Sequence, residues 1–154
     1  MIIDEKRKIQ NCKQAYLIIA HKDDLTFRTL ISMLDYKNND IFIHMDKKNK
    51  TYDSKGIESL GKHAKIYHTC RTNVEWGGYS LINAELLLLE KATEIGKYQH
   101  YHLLSGEDLP IQKQEVIQNF FMEQDGKEFI AFDQKNFQFG DWMRSIKHRP
   151  EFRA

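Results

Sequence analysis

Runs of apolar residues alternate along the chain with segments that have the periodicity of a helix. Residues 16–20 and 41–45 form continuous apolar runs of strand length, which is typical of strands that are covered on both faces. Three weaker runs of the same kind occupy residues 65–68, 101–104 and 128–132. The pattern therefore predicts five short strands.

Helical periodicity lies between these runs. A first helix is predicted by four apolar residues at the i, i+3, i+4, i+7 spacing of one buried stripe, namely Phe27, Leu30, Ile31 and Leu34. Asp23 or Asp24 can cap its first turn. A second helix repeats nearly the same spacing with a wider stripe, which predicts a helix sandwiched between apolar neighbours: Leu81, Ala84, Leu86, Leu88, Leu89 and Ala92.

A further, shorter helix is predicted after Pro110, over residues 115–122, with Val116, Ile117 and Phe120 facing the core. Strands that alternate with helices predict an α/β fold, Rossmann-like, with a mainly parallel sheet. In such sheets, ligands bind outside the carboxyl ends of the strands. The residues that follow each predicted strand are therefore the candidates for function.

The composition indicates an ordinary globular domain. The chain has 154 residues, of which 41% are hydrophobic and 29% are charged, and its formal net charge is +1. This balance argues against a disordered chain and against a nucleic-acid partner. Local basic density at Lys47, Lys48 and Lys50 is typical of a solvated loop and could also serve a phosphate.

The cysteines and the N-terminus predict a cytoplasmic protein. Cys12 and Cys70 are far apart and have no metal-ligand spacing, which suits a reducing compartment. Charged residues from Asp4 onward leave no room for the apolar region of a signal peptide. No apolar run is long enough to span a bilayer. A place at the inner membrane surface stays open.

The residues after the first two strands carry candidate chemistry. The first loop has neither a dinucleotide-binding glycine motif nor a P-loop, but His21 could donate to a base or a phosphate. Asp46 ends the second strand and could accept from a ribose hydroxyl or a base N–H. Lys48 stands where a metal-binding Asp-x-Asp motif has its second acid. One carboxylate beside two ammonium groups is a poor site for a divalent cation.

Two later loops complete the set of candidates. Trp76 offers a flat face to a base or sugar ring, and Gly77 and Gly78 let the backbone pass close to a ligand. A buried tryptophan beside a plain glycine turn is the alternative. After the fourth strand, Ser105, Glu107 and Asp108 could bind acceptor hydroxyls or position neighbouring loops, whereas a turn with a side-chain-to-backbone hydrogen bond is the alternative for Asp108.

Taken in order, four segments resemble the core-2/I-branching glycosyltransferase family, glycosyltransferase family 14, which includes the peptide O-xylosyltransferases. They are LIIAHKDD, IFIHMDKK, VEWGGYSLINAELLLLEKA and HYHLLSGEDLPI. The resemblance runs from about residue 14 to residue 132. Its most specific pieces are WGGYSL and SGEDLP. The tryptophan-glycine-glycine form is more similar to the xylosyltransferase-like and bacterial branch.

The resemblance implies a GT-A-like fold and an inverting transfer of N-acetylglucosamine or xylose from a UDP-sugar to a glycan or lipid-linked acceptor. It implies no metal and no other cofactor. It also implies nucleotide-sugar contacts at Ile19, Ala20, His21, Asp46, Lys47, Lys48, Trp76 and Gly77. An acceptor or supporting role then falls to Ser105, Glu107 and Asp108.

One part of the family pattern is missing. The family's catalytic glutamate and the basic residues that meet the diphosphate are expected downstream of Ala154, so no catalytic residue is assigned here. The expected organisation is an N-terminal extension over residues 1–13, a nucleotide-sugar-binding domain over 14–133, and the start of an incomplete acceptor region over 134–154. We expect the 154 residues alone to be inactive.

Two other classes of protein remain as alternatives. A module that binds a nucleotide or glycan without turnover would use the same strand-end residues. An α/β protein of the flavodoxin or receiver type would gather Asp23, Asp24 and Asp46 into an acidic cluster around a metal or phosphorylation site, but it would have no use for Trp76 and its glycines.

Overall fold

A parallel sheet of four strands organises the chain. The computed structural model describes residues 13–124 and 126–127. In these ranges the strand order is β3-β2-β1-β4, and every pairing is parallel. The strands are β1 (Gln14–Ala20), β2 (Asn39–Met45), β3 (Lys65–His68) and β4 (His100–Ser105). The predicted α/β class with a parallel sheet is confirmed, and the four strands overlap the first four apolar runs.

The other predictions about domain organisation concern the N-terminal and C-terminal parts of the chain. The predicted fifth strand at residues 128–132 and the region 134–154 lie outside the described residues, as do residues 1–12 of the predicted N-terminal extension. The four helices in the described ranges are α1 (Leu25–Leu34), α2 (Ser54–Glu58), α3 (Tyr79–Ile95) and α4 (Gln114–Glu123).

Helix α1 covers one face of the sheet, as its stripe predicts. Phe27, Leu30, Ile31 and Leu34 are all buried and pack on the side chains of β1 and β2 that point to this face. The cap of α1 is Asp24, whose carboxylate accepts a hydrogen bond from the Phe27 N–H at 3.0 Å. Ile57 of α2 joins the same cluster. This packing fixes the loop between β1 and α1.

Helix α3 covers the opposite face, but the described residues do not sandwich it. Ala84, Leu88 and Ala92 are fully buried, and the last two pack on the β1 and β2 side chains of this face. Leu86, predicted to widen the stripe, is about half exposed, as is Ile82. That prediction was wrong for the residues that the structure describes, because only one side of α3 meets the sheet there.

Helix α4 turns a different face inward from the one predicted. Val116 and Phe120 are 49% and 47% exposed and Ile117 is half-buried, whereas Gln114 and Gln118 are buried. Oε1 of Gln114 accepts from the Tyr16 hydroxyl and the Asn39 amide, and Gln118 donates to Asn39 at 2.6 Å. Near the N-terminal ends of β1 and β2 the sheet presents buried polar atoms, and apolar side chains could not satisfy them. Hydrogen bonding, rather than apolar packing, therefore determines which face of α4 turns toward the sheet.

A half-buried histidine in this region predicts a loss of stability in acid. His102 stacks on Tyr16 with 4.7 Å between ring centroids, and its Nε2 lies 3.0 Å from Oε1 of Gln14. Burial lowers the pKa of His102 to about 4, against about 6.5 in an unfolded chain. Between these values only the unfolded chain takes up the proton, so stability falls as the pH falls. The expected loss at pH 4 is about 3 kcal/mol from this residue.

Urea unfolding at pH 7 and pH 4 measures this effect. His102→Phe keeps the ring contacts with Tyr16 and removes the titrating group, so the variant should lose clearly less stability over the same interval. His44 and His68, whose pKa values burial also lowers, act in the same direction in both proteins. Equal losses in the variant and the wild type would contradict the assignment to His102.

Candidate functional site

A cleft of about 1080 Å³ opens at the carboxyl ends of the strands. The chain runs outward from β1 to β2 and β3, then returns to place β4 on the other side of β1. Such a reversal of strand order leaves a crevice between the two loops that diverge from it. The cleft is built around this point, with walls from the loops after all four strands and from the start of α3.

Most of the residues singled out from the sequence meet in this cleft. Eight of them line it, and they come from four separate segments: Ile19, Ala20, His21, Asp46, Lys48, Trp76, Ser105 and Glu107. Three others, Lys47, Gly77 and Asp108, lie in the same loops but are not among the lining residues. The fold therefore brings the four segments of the resemblance to one place.

The loop after β2, residues 46–49, holds its acid in a defined position. Asp46 is only 5% exposed. Its backbone N–H donates to the Ala20 carbonyl at 2.8 Å, which ties this loop to the end of β1. Its Oδ1 accepts from the Lys48 N–H at 2.9 Å, and the Lys48 ammonium donates to the Val74 carbonyl at 2.9 Å. The carboxylate thus stabilises its own turn and faces the cleft from a fixed backbone.

The turn after β4, residues 105–108, is fastened to β1 in the same way. The Gly106 N–H donates to the Ile19 carbonyl at 2.9 Å. Oδ2 of Asp108 accepts from the Ser105 N–H at 2.7 Å, and the Ser105 hydroxyl accepts from the Glu107 N–H at 3.2 Å. For Asp108, these contacts favour the role of a turn residue. They also set the direction in which Glu107 leaves the turn.

Glu107 bridges the two loops on either side of the switch point. Its Oε1 lies 3.2 Å from the Lys22 ammonium and 3.6 Å from Nε2 of His21. All three side chains are more than half exposed, so the pairs contribute little to stability. Their consequence is local, because the carboxylate already contacts the Lys22 ammonium and the His21 imidazole at the rim of the cleft.

Trp76 forms a wall of the cleft and is not part of the core. Its side chain is 82% exposed. Gly77 has a φ of 74°, a conformation that favours glycine, and Gly78 caps α3. The Ser80 hydroxyl accepts from the Glu75 N–H at 2.8 Å and closes the turn. The glycine turn therefore presents the indole at the N-terminal end of α3.

Sequence reasoning missed several residues of the cleft. Six of its fourteen lining residues were not among the candidates: Val74, Glu75, Leu81, Glu85, Leu103 and Leu104. Leu81 was predicted as part of the buried stripe, but it is half-buried on the cleft wall together with Glu85, one turn later on α3. The four-residue spacing after the glycine turn was the available signal, since positions i and i+4 share one helix face.

The acids among the described residues do not form a metal-binding cluster. Four carboxylates line the cleft, those of Asp46, Glu75, Glu85 and Glu107, with Lys48 and His21 as the basic groups. Among the residues described, no group of three His, Cys, Asp or Glu side chains is arranged to hold a metal ion. Asp24 caps α1, and Asp23 forms a bidentate pair with Arg28. The acidic cluster of a receiver-type protein is therefore not formed by Asp23, Asp24 and Asp46.

A parallel α/β sheet with its cleft at the reversal of strand order is consistent with a Rossmann-like domain of the GT-A type. The family model described as Core-2/I-Branching enzyme matches residues 14–151. The chain belongs to this family of glycosyltransferases, which confirms the resemblance found in the sequence. No curated protein matches the chain. In the part of the chain that the structure describes, no helix has the length and apolar character to cross a bilayer.

Proposed function

We propose that this protein transfers a sugar from a UDP-sugar to a hydroxyl acceptor with inversion, and that the cleft at the strand ends binds the donor. The observation that carries this proposal is the convergence of four distant segments. Residues separated by more than 80 positions in the sequence, such as Ala20 and Ser105, line the same cleft as Asp46 and Trp76. Family membership supports glycosyl transfer as the reaction class, and the convergence supports this cleft as the donor site.

The charges on the cleft wall suggest how the donor lies. With four carboxylates against Lys48 and His21, this wall suits the neutral uridine better than the diphosphate. The exposed indole of Trp76 offers a stacking surface for the uracil ring or a sugar. The fixed carboxylate of Asp46 can accept from a ribose hydroxyl or from a base N–H. We therefore place the uridine on Trp76 and Asp46, with the diphosphate directed away from the acids.

We also propose that the donor binds without a divalent cation. Mg²⁺ and Mn²⁺ prefer several oxygen ligands, whereas the loop after β2 offers one carboxylate, and one of its oxygens already accepts from the Lys48 N–H. In the sequence, Lys48 stands at the position where a second acid would be. A divalent cation bound by this loop would therefore have too few oxygen ligands.

Calorimetric titration with UDP tests both parts of this proposal. We expect binding with the same Kd in EDTA and in Mn²⁺, and we expect uridine to retain part of the affinity while inorganic phosphate shows little. ADP serves as the matched control for recognition of the base. Loss of UDP binding in EDTA that Mn²⁺ restores would reject metal-independent binding. Equal affinity for ADP and UDP would reject the assignment of the uridine to this wall.

The transferred sugar is proposed to be N-acetylglucosamine or xylose, and the acceptor a glycan or lipid-linked hydroxyl. Inverting transfer needs a general base that takes the acceptor proton, and Glu107 is poorly suited because Lys22 and His21 already contact it. Competition of UDP-N-acetylglucosamine and UDP-xylose for the UDP site discriminates between the donors. The preferred donor should bind more tightly than UDP-glucose.

A further inference from the structure

We propose that Arg71 is a positioning residue that holds the 46–49 loop in the shape that binds the donor, an assignment that rests on the function proposed above. Arg71 follows β3 and is not part of the cleft wall. It acts through the backbone of the loop that carries Asp46 and Lys48.

The guanidinium group of Arg71 gathers three carbonyls of one short segment. Its Nε donates to the carbonyl of Met45 at 3.2 Å, and its Nη2 donates to those of Asp46, at 2.7 Å, and Asn49. The Asn49 N–H also donates to the Asp46 carbonyl at 3.0 Å, which closes the turn. A planar fork with several donors can serve converging carbonyls, whereas a lysine ammonium presents its donors from a single point.

A second set of contacts fixes the position of the guanidinium group of Arg71. It lies 5.4 Å from the ring centroid of Tyr52, within the range of a cation–π contact. The Tyr52 hydroxyl lies 3.0 Å from Nδ1 of His68, and the other ring nitrogen of His68 lies 3.3 Å from Glu58. These contacts run back to α2, so the position of Arg71 is determined by the body of the fold.

The segment that follows Arg71, through Thr72 and Val74, connects the 46–49 loop to Trp76. Nε2 of the buried His44 lies 3.1 Å from the Thr72 hydroxyl, and the Thr72 carbonyl accepts from the Lys47 N–H at 2.9 Å. The Lys48 ammonium then reaches the Val74 carbonyl, two residues before Trp76. Arg71 thus lies at the junction of the 46–49 loop and the segment that leads to Trp76, which are the two sides of the proposed uridine site. A shift of the 46–49 loop would separate Asp46 from Trp76.

The test compares Arg71→Ala and Arg71→Lys with Asp35→Ala in the full 154-residue chain. Asp35 is a matched control because its Oδ1 accepts from the backbone N–H groups of Lys62, His63 and Ala64, at the opposite end of the sheet. Each alanine variant removes a charged side chain that ties one segment to another. We therefore expect Tm to fall in both, and only the Arg71 variants to alter the cleft.

Two measurements follow from this design. By calorimetry, Arg71→Ala should weaken UDP binding by about 10-fold or more, Arg71→Lys should restore only part of it, and Asp35→Ala should leave it unchanged. By hydrogen exchange in the absence of UDP, the Lys48 and Asn49 amides should exchange faster in Arg71→Ala than in Asp35→Ala.

The exchange measurement keeps this assignment separate from the proposed donor. If the wild type does not bind UDP, the proposed function fails, but faster exchange at Lys48 and Asn49 still supports Arg71 as the residue that shapes the loop. Unchanged exchange at both amides in Arg71→Ala would overturn that role. Unchanged UDP affinity in Arg71→Ala would overturn its importance for the donor.

Discussion

Replacing Gly106 by alanine is expected to destabilise the protein by about 1–3 kcal/mol and to open the cleft on its β4 side. A Cβ at this position would lie 2.7 Å from Cβ and 3.2 Å from Cα of Ala20, and 3.4 Å from Phe27. Ala20 is the last residue of β1 and is buried, so it cannot move aside cheaply. The 105–108 turn must retreat, which lengthens the hydrogen bond from the Gly106 N–H to Ile19.

The matched control for this substitution is Gly96→Ala. Gly96 ends α3 with an extended backbone, and an added Cβ would approach only Tyr98, at 3.8 Å, an ordinary contact distance. Urea unfolding should therefore show a small change for Gly96→Ala and a large one for Gly106→Ala. UDP affinity should fall in the Gly106 variant alone, since its turn carries Ser105 and Glu107. Equal stability of the two variants would contradict the close approach of this turn to β1.

The order of the elements could be predicted because burial dominates there. Continuous apolar runs predicted β1 and β2, and both strands are buried along nearly their whole length. The stripe of α1 was correct in every position, since Phe27, Leu30, Ile31 and Leu34 all enter one cluster. In these elements the hydrophobic pattern and the tertiary packing favour the same conformation.

The pattern failed where hydrogen-bonding groups determine which face of a helix turns inward, and where the described residues cover only one face of an apolar helix. In α4, two glutamines face inward because the Tyr16 hydroxyl and the Asn39 amide need partners, and nothing in the helix itself reveals these distant groups. In α3, a nearly continuous apolar sequence indicated two covered faces, whereas the described residues cover one. Periodicity shows that a face is apolar, but not which surface meets it.

The cleft could be located from the sequence, but its supporting contacts could not. Parallel strands bring their carboxyl ends to one edge, so Ala20, Asp46 and Ser105 were expected to lie close together, and they do. Arg71 gave no signal, because its partners are backbone carbonyls, which every residue possesses. A role that depends on where a loop places its carbonyls becomes visible only in three dimensions.

Replacing Trp76 by alanine should weaken UDP binding by roughly 1–3 kcal/mol, which is the usual range for loss of a base–aromatic stack. The Tm should change little, because the indole is 82% exposed and lies on the cleft wall. Trp76→Phe should recover part of the affinity, since a smaller ring still offers a stacking face. Calorimetry and thermal unfolding on the same samples separate the two effects.

Tyr79→Ala is the matched control for Trp76→Ala. Tyr79 is an exposed aromatic residue three positions away, at the start of α3, and it does not line the cleft. Its removal should leave UDP affinity unchanged, which excludes a general effect of trimming aromatic surface from this helix end. If Trp76→Ala lowered Tm strongly and kept full affinity for UDP, the indole would be a structural residue. The stacking surface for the uracil would then have to come from another side chain of the cleft.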